Sequence, residues 1–133
     1  MRAVFLDTVG LLALWDVADQ WHAHAEPVYQ RLQQTNARLV TTTLVLYECG
    51  NAASRRPYRT DLLLLRNSLG SAGDLFEPKP VDIDSAWQAY ERGVAGDAGI
   101  VDLVSFAVMR RLGITQAFTR DKHFTAAGFE ALF

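Results

Sequence analysis

Apolar residues gather in short runs along the chain, and most runs stop at a turn residue or a charge. Residues 2–6, RAVFL, read as a buried first strand. A helix follows Asp7-Thr8, with Leu11, Leu12, Leu14 and Trp15 as its apolar positions. Residues 24–35 fit a second helix, with Pro27 in its first turn and Val28 and Leu32 four apart on one face. Arg38–Thr43, RLVTTT, is β-branched and reads as strand two; residues 44–54 return to helix, ended by Arg55-Arg56-Pro57. Residues 60–69 form another helix with Gly70 as its cap, and Leu75–Val81, with two prolines, suits an edge strand or extended loop. Ile83–Val94 is amphipathic, with Ile83, Ala86, Trp87, Tyr90 and Val94 on one face, and Gly93, Gly96 and Gly99 mark a break. Residues 101–112 are a helix that is apolar on most sides, with Arg110 and Arg111 near its carboxyl end. Gln116–Thr119 is a short strand, Thr125–Gly128 a turn, and residues 129–133 a last strand.

This alternation of strand and helix predicts an α/β domain with a mostly parallel central sheet flanked by helices. In such sheets functional groups collect beyond the carboxyl ends of the strands. The 133 residues suit one domain spanning 1–133, and a chain that is 50% hydrophobic and 21% charged can bury a real core. Net charge −2 and pI near 5.9 argue against a globally basic nucleic-acid binder but leave room for local basic patches. Cys49 is the only cysteine, so an internal disulfide and a CxxC zinc site are both excluded. It reads as a buried structural thiol in a reducing, cytoplasmic setting. Asp7 interrupts the first apolar run too early for a signal peptide, and no stretch is long enough to span a membrane.

Four acids stand where these apolar segments run out: Asp7 after AVFL, Glu48 within LVLYE, Asp102 after GIV and Asp121 after QAFT. An ionised carboxylate beside apolar neighbours is costly unless something neutralises it. Two of them about 5 Å apart would repel by roughly 3 kcal/mol at an effective dielectric near 20. A divalent cation would remove that penalty. Each acid also has an ordinary reading, as a strand-end residue for Asp7 and Asp121 or a helix-terminal cap for Asp102. Glu48 fits such a reading least, because it interrupts the apolar run Leu44–Tyr47.

FLDTVGLLAL, then TTTLVLYECGNA, then VDLVSFAVMRRLGITQAFTRDKHFTAAGFEALF resemble the successive signatures of PIN domains. The last third closely resembles the VapC-like group of toxin ribonucleases. The likeness covers nearly the whole chain and includes the order and spacing of all four acids. It implies a compact α/β/α fold and a Mg2+- or Mn2+-dependent endoribonuclease, the toxin of a toxin–antitoxin pair, acting as a homodimer on RNA and restrained by an antitoxin protein. By the same resemblance Asp7, Glu48, Asp102 and Asp121 are the catalytic and metal-binding residues, and Thr8 and Thr119 match small hydroxyl residues near the site. Asp7, Asp102 and Asp121 are expected to ligate the metal directly or through water. Glu48 is expected to orient or deprotonate the attacking water, or to hold a second metal.

One stretch departs from the pattern. Related sequences carry Ser/Thr-rich residues before the third acid, where this chain has Gly99-Ile100-Val101. Lost hydroxyls weaken the support around Asp102, and Asp97 is a candidate to compensate. The departure keeps a second reading open, a PIN fold that binds RNA or protein with weak or no catalysis. A haloacid-dehalogenase-like phosphatase needs an Asp where Val9 stands, and a response-regulator receiver needs an acidic pair near strand one and a phosphoacceptor Asp near residue 50. Positive charge is local: Arg55, Arg56 and Arg59 form one group, and Arg120, Lys122 and His123 flank Asp121. Both groups suit RNA phosphates or plain surface charge, and His123 a structural hydrogen bond. Trp15, Trp21 and Trp87 are candidates for base stacking, although the spacing around Trp87 favours core or interface packing. Four consecutive leucines, 62 to 65, expose apolar side chains on several faces of one helix and call for a protein partner or cover by neighbouring helices.

Overall fold

The computed structural model describes residues 2–54 and 57–133. The expected alternation is present, in the order β1 (Ala3–Leu6), α1 (Thr8–Trp15), α2 (His22–Gln34), β2 (Arg38–Thr42), α3 (Thr43–Ala53), α4 (Arg59–Ala72), β3 (Leu75–Phe76), α5 (Pro80–Glu91), α6 (Ile100–Leu112), β4 (Gln116–Phe118), α7 (Lys122–Ala126) and β5 (Glu130–Ala131). All strand pairs are parallel, and the sheet order is β3-β2-β1-β4-β5. Strand β1 therefore lies at the centre, and Val4, Phe5 and Leu6 are fully buried, as a strand covered on both faces requires.

The register carries the strand ends to a common rim. Leu6 pairs with Phe118, so Asp7 and Thr119 are the next residues out on adjacent strands. Across β2, Thr41 donates its hydroxyl to the Leu6 carbonyl at 2.6 Å. Helix α1 begins immediately after Asp7 and approaches β4 closely. A Cβ on Gly10 would lie 2.1 Å from the Phe118 carbonyl oxygen, so only glycine fits there.

Two further contacts fix the elements that reach the rim. Asp82 is buried on α5, accepts three hydrogen bonds of 2.8 to 3.2 Å from Arg111 on α6, and also accepts from the Lys79 backbone N–H. The Arg111 guanidinium holds its carboxyl below the usual range. Phe124 of α7 is fully buried and meets Phe106 of α6 edge to face at 4.8 Å, with Phe129 tilted against both rings. These contacts explain how a five-residue helix keeps a fixed place.

Several boundaries differ from the sequence reading, each for a local reason. Helix α2 starts at His22, so Pro27 lies in its second turn with its ring exposed. Helix α4 runs through Gly70 and stops at Gly73, the residue in left-handed conformation (φ 75°). The strand expected over Leu75–Val81 is only Leu75–Phe76 at the sheet edge; Pro80 begins α5 instead, because a missing N–H is harmless at a first helical position. The buried face of α5 is Asp82 and Ala86, while Trp87, Tyr90 and Val94 are exposed. Turning the helix this way buries the Asp82 carboxylate under the more exposed Arg111 guanidinium, and the bulky rings stay outside. The turn expected over Thr125–Gly128 begins inside α7, and the last strand shortens to two residues. Arg55 and Arg56 lie outside the described residues. Cys49 is fully buried, and burial pushes its thiol up to about 12, an inert structural state.

Gly10→Ala should lower stability by about 3 kcal/mol, on the order of 10 °C in melting temperature, because the added methyl meets backbone and not a movable side chain. A calorimetric melt within about 2 °C of the parent would contradict the close α1–β4 approach.

Candidate metal-binding active site

Asp7 leaves the carboxyl end of the central strand with its side chain almost wholly buried. Thr119, its neighbour across the sheet, donates its hydroxyl to Asp7 Oδ2 at 2.7 Å. The same hydroxyl oxygen accepts the Asp121 backbone N–H at 3.0 Å, which turns the chain and brings Asp121 to the rim. Asp121 then caps α7 by accepting the His123 N–H at 2.9 Å. Glu48 stands on the exposed side of α3, tied by a 2.5 Å hydrogen bond from the hydroxyl of Thr8, the residue after Asp7. Asp102 lies in the first turn of α6, half-buried, and faces Asp121 and His123.

Crowding of like charge is the main electrostatic feature. Burial pushes the Asp7 carboxyl up to about 7; the nearby charges of Asp102 and Asp121 add to this, and the Thr119 hydrogen bond opposes it. Burial also raises Asp102, to about 6, reinforced by Asp121 and Glu48 and opposed by His123. Among the described residues no Lys or Arg pairs with any of the four acids. Hydrogen bonds from Thr119 and Thr8 at Asp7, and His123 and the Gly99 backbone at Asp102, offset only part of the effect of burial and repulsion, and a bound cation would relieve the rest.

His123 joins the cluster. Its Nε2 lies 2.7 Å from Asp97 Oδ1, and its Nδ1 lies 2.7 Å from Asp121 Oδ1 and 4.0 Å from Asp102 Oδ2. The Nδ1–Asp121 approach is close but out of line for a hydrogen bond, which leaves that buried nitrogen unsatisfied. Hydrogen bonding to Asp97 raises the His123 pKa, and the same bond lowers that of Asp97. Ligand atoms of Asp102, Asp121 and His123 all lie within 4.8 Å of one another. Asp7 stands outside this tight trio and is coupled to Asp102 and Asp121 through charge; Glu48 is coupled to Asp102 in the same way.

This arrangement suits a hard divalent cation. The donor set is mostly carboxylate oxygen, the charges are uncompensated, and one unsatisfied nitrogen points among them. The structure brings Asp7, Glu48, Asp102 and Asp121 to one rim, with Thr8 and Thr119 each bonded to one of the acids. The sequence favours a structural hydrogen bond for His123. It makes such a bond, to Asp97, and also faces the acids. Asp97 supports the cluster through His123 and not through Asp102. Gly99 fills the N-cap position of α6 without a side-chain cap, and its backbone N–H bonds the Asp102 carboxylate, lowering its pKa against the larger effect of burial. The backbone thus supplies part of what the missing hydroxyls would.

Residues 4–130 match the PIN domain family, and this chain belongs to it. Its curated relatives include the 23S rRNA-specific endonuclease VapC20 from two strains of Mycobacterium tuberculosis, CDC 1551 / Oshkosh and ATCC 25618 / H37Rv. Each is 30% identical over 131 residues, which is 95% of either chain. The crystal structure of Mycobacterium tuberculosis VapC20, a sarcin–ricin-loop-cleaving toxin, superposes with a TM-score of 0.79 at 28% identity and 95% coverage of both chains. The chain is thus similar to that toxin along almost its whole length.

The acid cluster gives an unusual pH dependence. Between pH near 4 and pH near 7 the unfolded chain has released the Asp7 proton while the folded chain retains it. The fold then binds more protons than the unfolded state, so its stability falls as pH rises through this window. Without metal the loss from Asp7 is on the order of 4 kcal/mol, from a carboxyl moved from 3.8 to about 7. Melts in EDTA from pH 4.5 to 7.5 should show this decline, and Asp7→Asn should flatten it. A wild-type melting temperature that rises across the window would contradict the assigned environment.

Proposed function

We propose that this chain is a Mg2+- or Mn2+-dependent endoribonuclease that hydrolyses RNA phosphodiester bonds, and that it is the toxin of a toxin–antitoxin pair. The observation that carries the reading is the meeting of Asp7, Asp102 and Asp121, each raising or raised by another's charge, at the carboxyl rim of a parallel sheet. Full-length similarity to a 23S rRNA-specific endonuclease supports RNA as the substrate. Residues 1–133 act on this reading as one nuclease domain.

Asp7, Asp102 and Asp121 would hold the cation, with Glu48 at the exposed edge as a further acid. When bound, the cation polarises the scissile phosphate and acidifies a water molecule beside it. Glu48, steadied by Thr8, would orient the attacking water and accept its proton. Thr119 fixes one oxygen of Asp7 and so holds the orientation of the carboxylate at the rim. Asp97 holds His123 against Asp102 and Asp121, which keeps the rim from spreading under its own repulsion.

An antitoxin protein and a second copy of the chain are the expected partners. Leu63 and Leu64 of α4 stand exposed, as does the Trp87–Tyr90 ring pair of α5, and both patches suit protein contacts. No described helix is long and apolar enough to cross a membrane, and action on RNA fits a cytoplasmic place of work.

Purified protein should cleave RNA when Mg2+ or Mn2+ is supplied and stop in EDTA. Asp7→Ala and Asp121→Ala should each reduce the rate by about a hundredfold or more. Single-stranded RNA, tRNA and ribosomal RNA should be compared by gel assay. Cleavage that persists in EDTA, or full activity in either variant, would overturn this function. Metal binding without cleavage of any RNA would favour the binding-module reading, for which the Gly99-Ile100-Val101 stretch leaves room.

A further inference from the structure

We propose that Arg120 binds an RNA phosphate beside the acid cluster, its guanidinium held in position by Trp21; the assignment rests on the endoribonuclease reading above. Arg120 lies between Thr119 and Asp121, the two residues that carry the β4 end of the site. Its neighbours turn inward, Thr119 to Asp7 and Asp121 to the rim. The Arg120 side chain instead reaches the residue preceding α2, where Cζ sits 4.0 Å from the centroid of the Trp21 ring.

Trp21 is a firm platform. Its backbone N–H bonds Asp19 Oδ1 at 2.8 Å. The next residue, His22, anchors the helix start to the Ala13 carbonyl at 2.9 Å. The ring of His24 meets the indole edge-on at 5.7 Å. A guanidinium stacked on a ring keeps its five N–H donors directed outward in its own plane. None of those donors has a hydrogen-bond or ion-pair partner among the described residues. Arg38 and Arg111 differ, since each spends its charge on a carboxylate of its own chain, Asp74 and Asp82.

The electrostatics favour a phosphate at this place. Four carboxylates at one rim repel a polyanion, and the metal offsets this only at the scissile phosphate. A fixed cation one residue from Asp121 gives the strand an attractive contact just outside the acids. The contact with the Trp21 ring restrains the side chain before RNA arrives, so less side-chain freedom is lost on binding.

Fluorescence anisotropy with a 5′-labelled single-stranded oligoribonucleotide, in EDTA to prevent cleavage and over a range of KCl concentrations, tests the assignment. Arg120→Ala should weaken binding about tenfold and make the slope of log K against log salt shallower by about 0.7, the loss of one phosphate contact. Arg120→Lys should keep the slope and lose only part of the affinity, because the charge remains and the fork does not. Trp21→Leu should keep the slope and weaken binding a few-fold. With Mn2+ restored, Arg120→Ala should raise KM and leave kcat within about twofold. Wild-type binding with an unchanged slope in Arg120→Ala overturns the phosphate contact and leaves the nuclease reading standing. An unaffected Trp21→Leu overturns the platform. A wild-type chain that neither binds nor cleaves RNA overturns the nuclease reading and this assignment together.

Discussion

The burial of one carboxylate, Asp7, at the end of the central strand is the constraint around which this structure is arranged. Strand β1 is covered on both faces, so its last residue emerges with almost no access to water. A charge there must be compensated, and the described residues supply the Thr119 hydroxyl and the Thr8 backbone N–H but no Lys or Arg ion pair. The chain adds more negative charge, from Asp102 and Asp121, which pushes Asp7 further toward its neutral form. A sequence selected for stability alone would put a leucine at this point. The cost is understandable if the fold is completed by something it binds.

The surrounding elements serve this placement. Gly10 lets α1 begin hard against β4, which keeps Thr8 and its Glu48 contact next to Asp7. The Asp82–Arg111 pair locks α5 to α6. The rings of Phe106, Phe124 and Phe129 fasten α7 to α6, and so hold Asp121 and His123 opposite Asp102. Asp97 acts from outside the cluster by bonding the far nitrogen of His123. In this protein core packing and site geometry are one problem, because every acid at the rim is carried by an element whose other end is anchored in the core.

The fold class and the strand–helix order were legible because short apolar runs and turn residues repeat along the chain. Helix ends were less so. Gly70 and Gly73 are equivalent on paper, and only backbone conformation distinguishes the one that caps α4. The orientation of α5 was hidden because Trp87 and Tyr90 look like core residues, while the side chain that sinks inward is an aspartate with a distant arginine partner. Gly10 gave no signal, since its importance lies in a strand more than a hundred residues away. The four acids were visible as interruptions of apolar segments, and their family spacing tied them together. The close approach of His123 to Asp102 and Asp121 depends on the α7 cap and on Asp97, neither of which local pattern reveals.

Comparing the metal response of wild-type protein and Asp102→Asn tests the central claim most directly. If a shared cation relieves the repulsion among these carboxylates, Asp102→Asn should melt above wild type in EDTA, because a repulsive charge has gone. Wild type should gain stability on adding Mn2+, by RT ln(1 + [L]/Kd), and the variant should gain little. Equal stabilisation of both proteins by Mn2+, or a variant less stable than wild type in EDTA, would contradict the account.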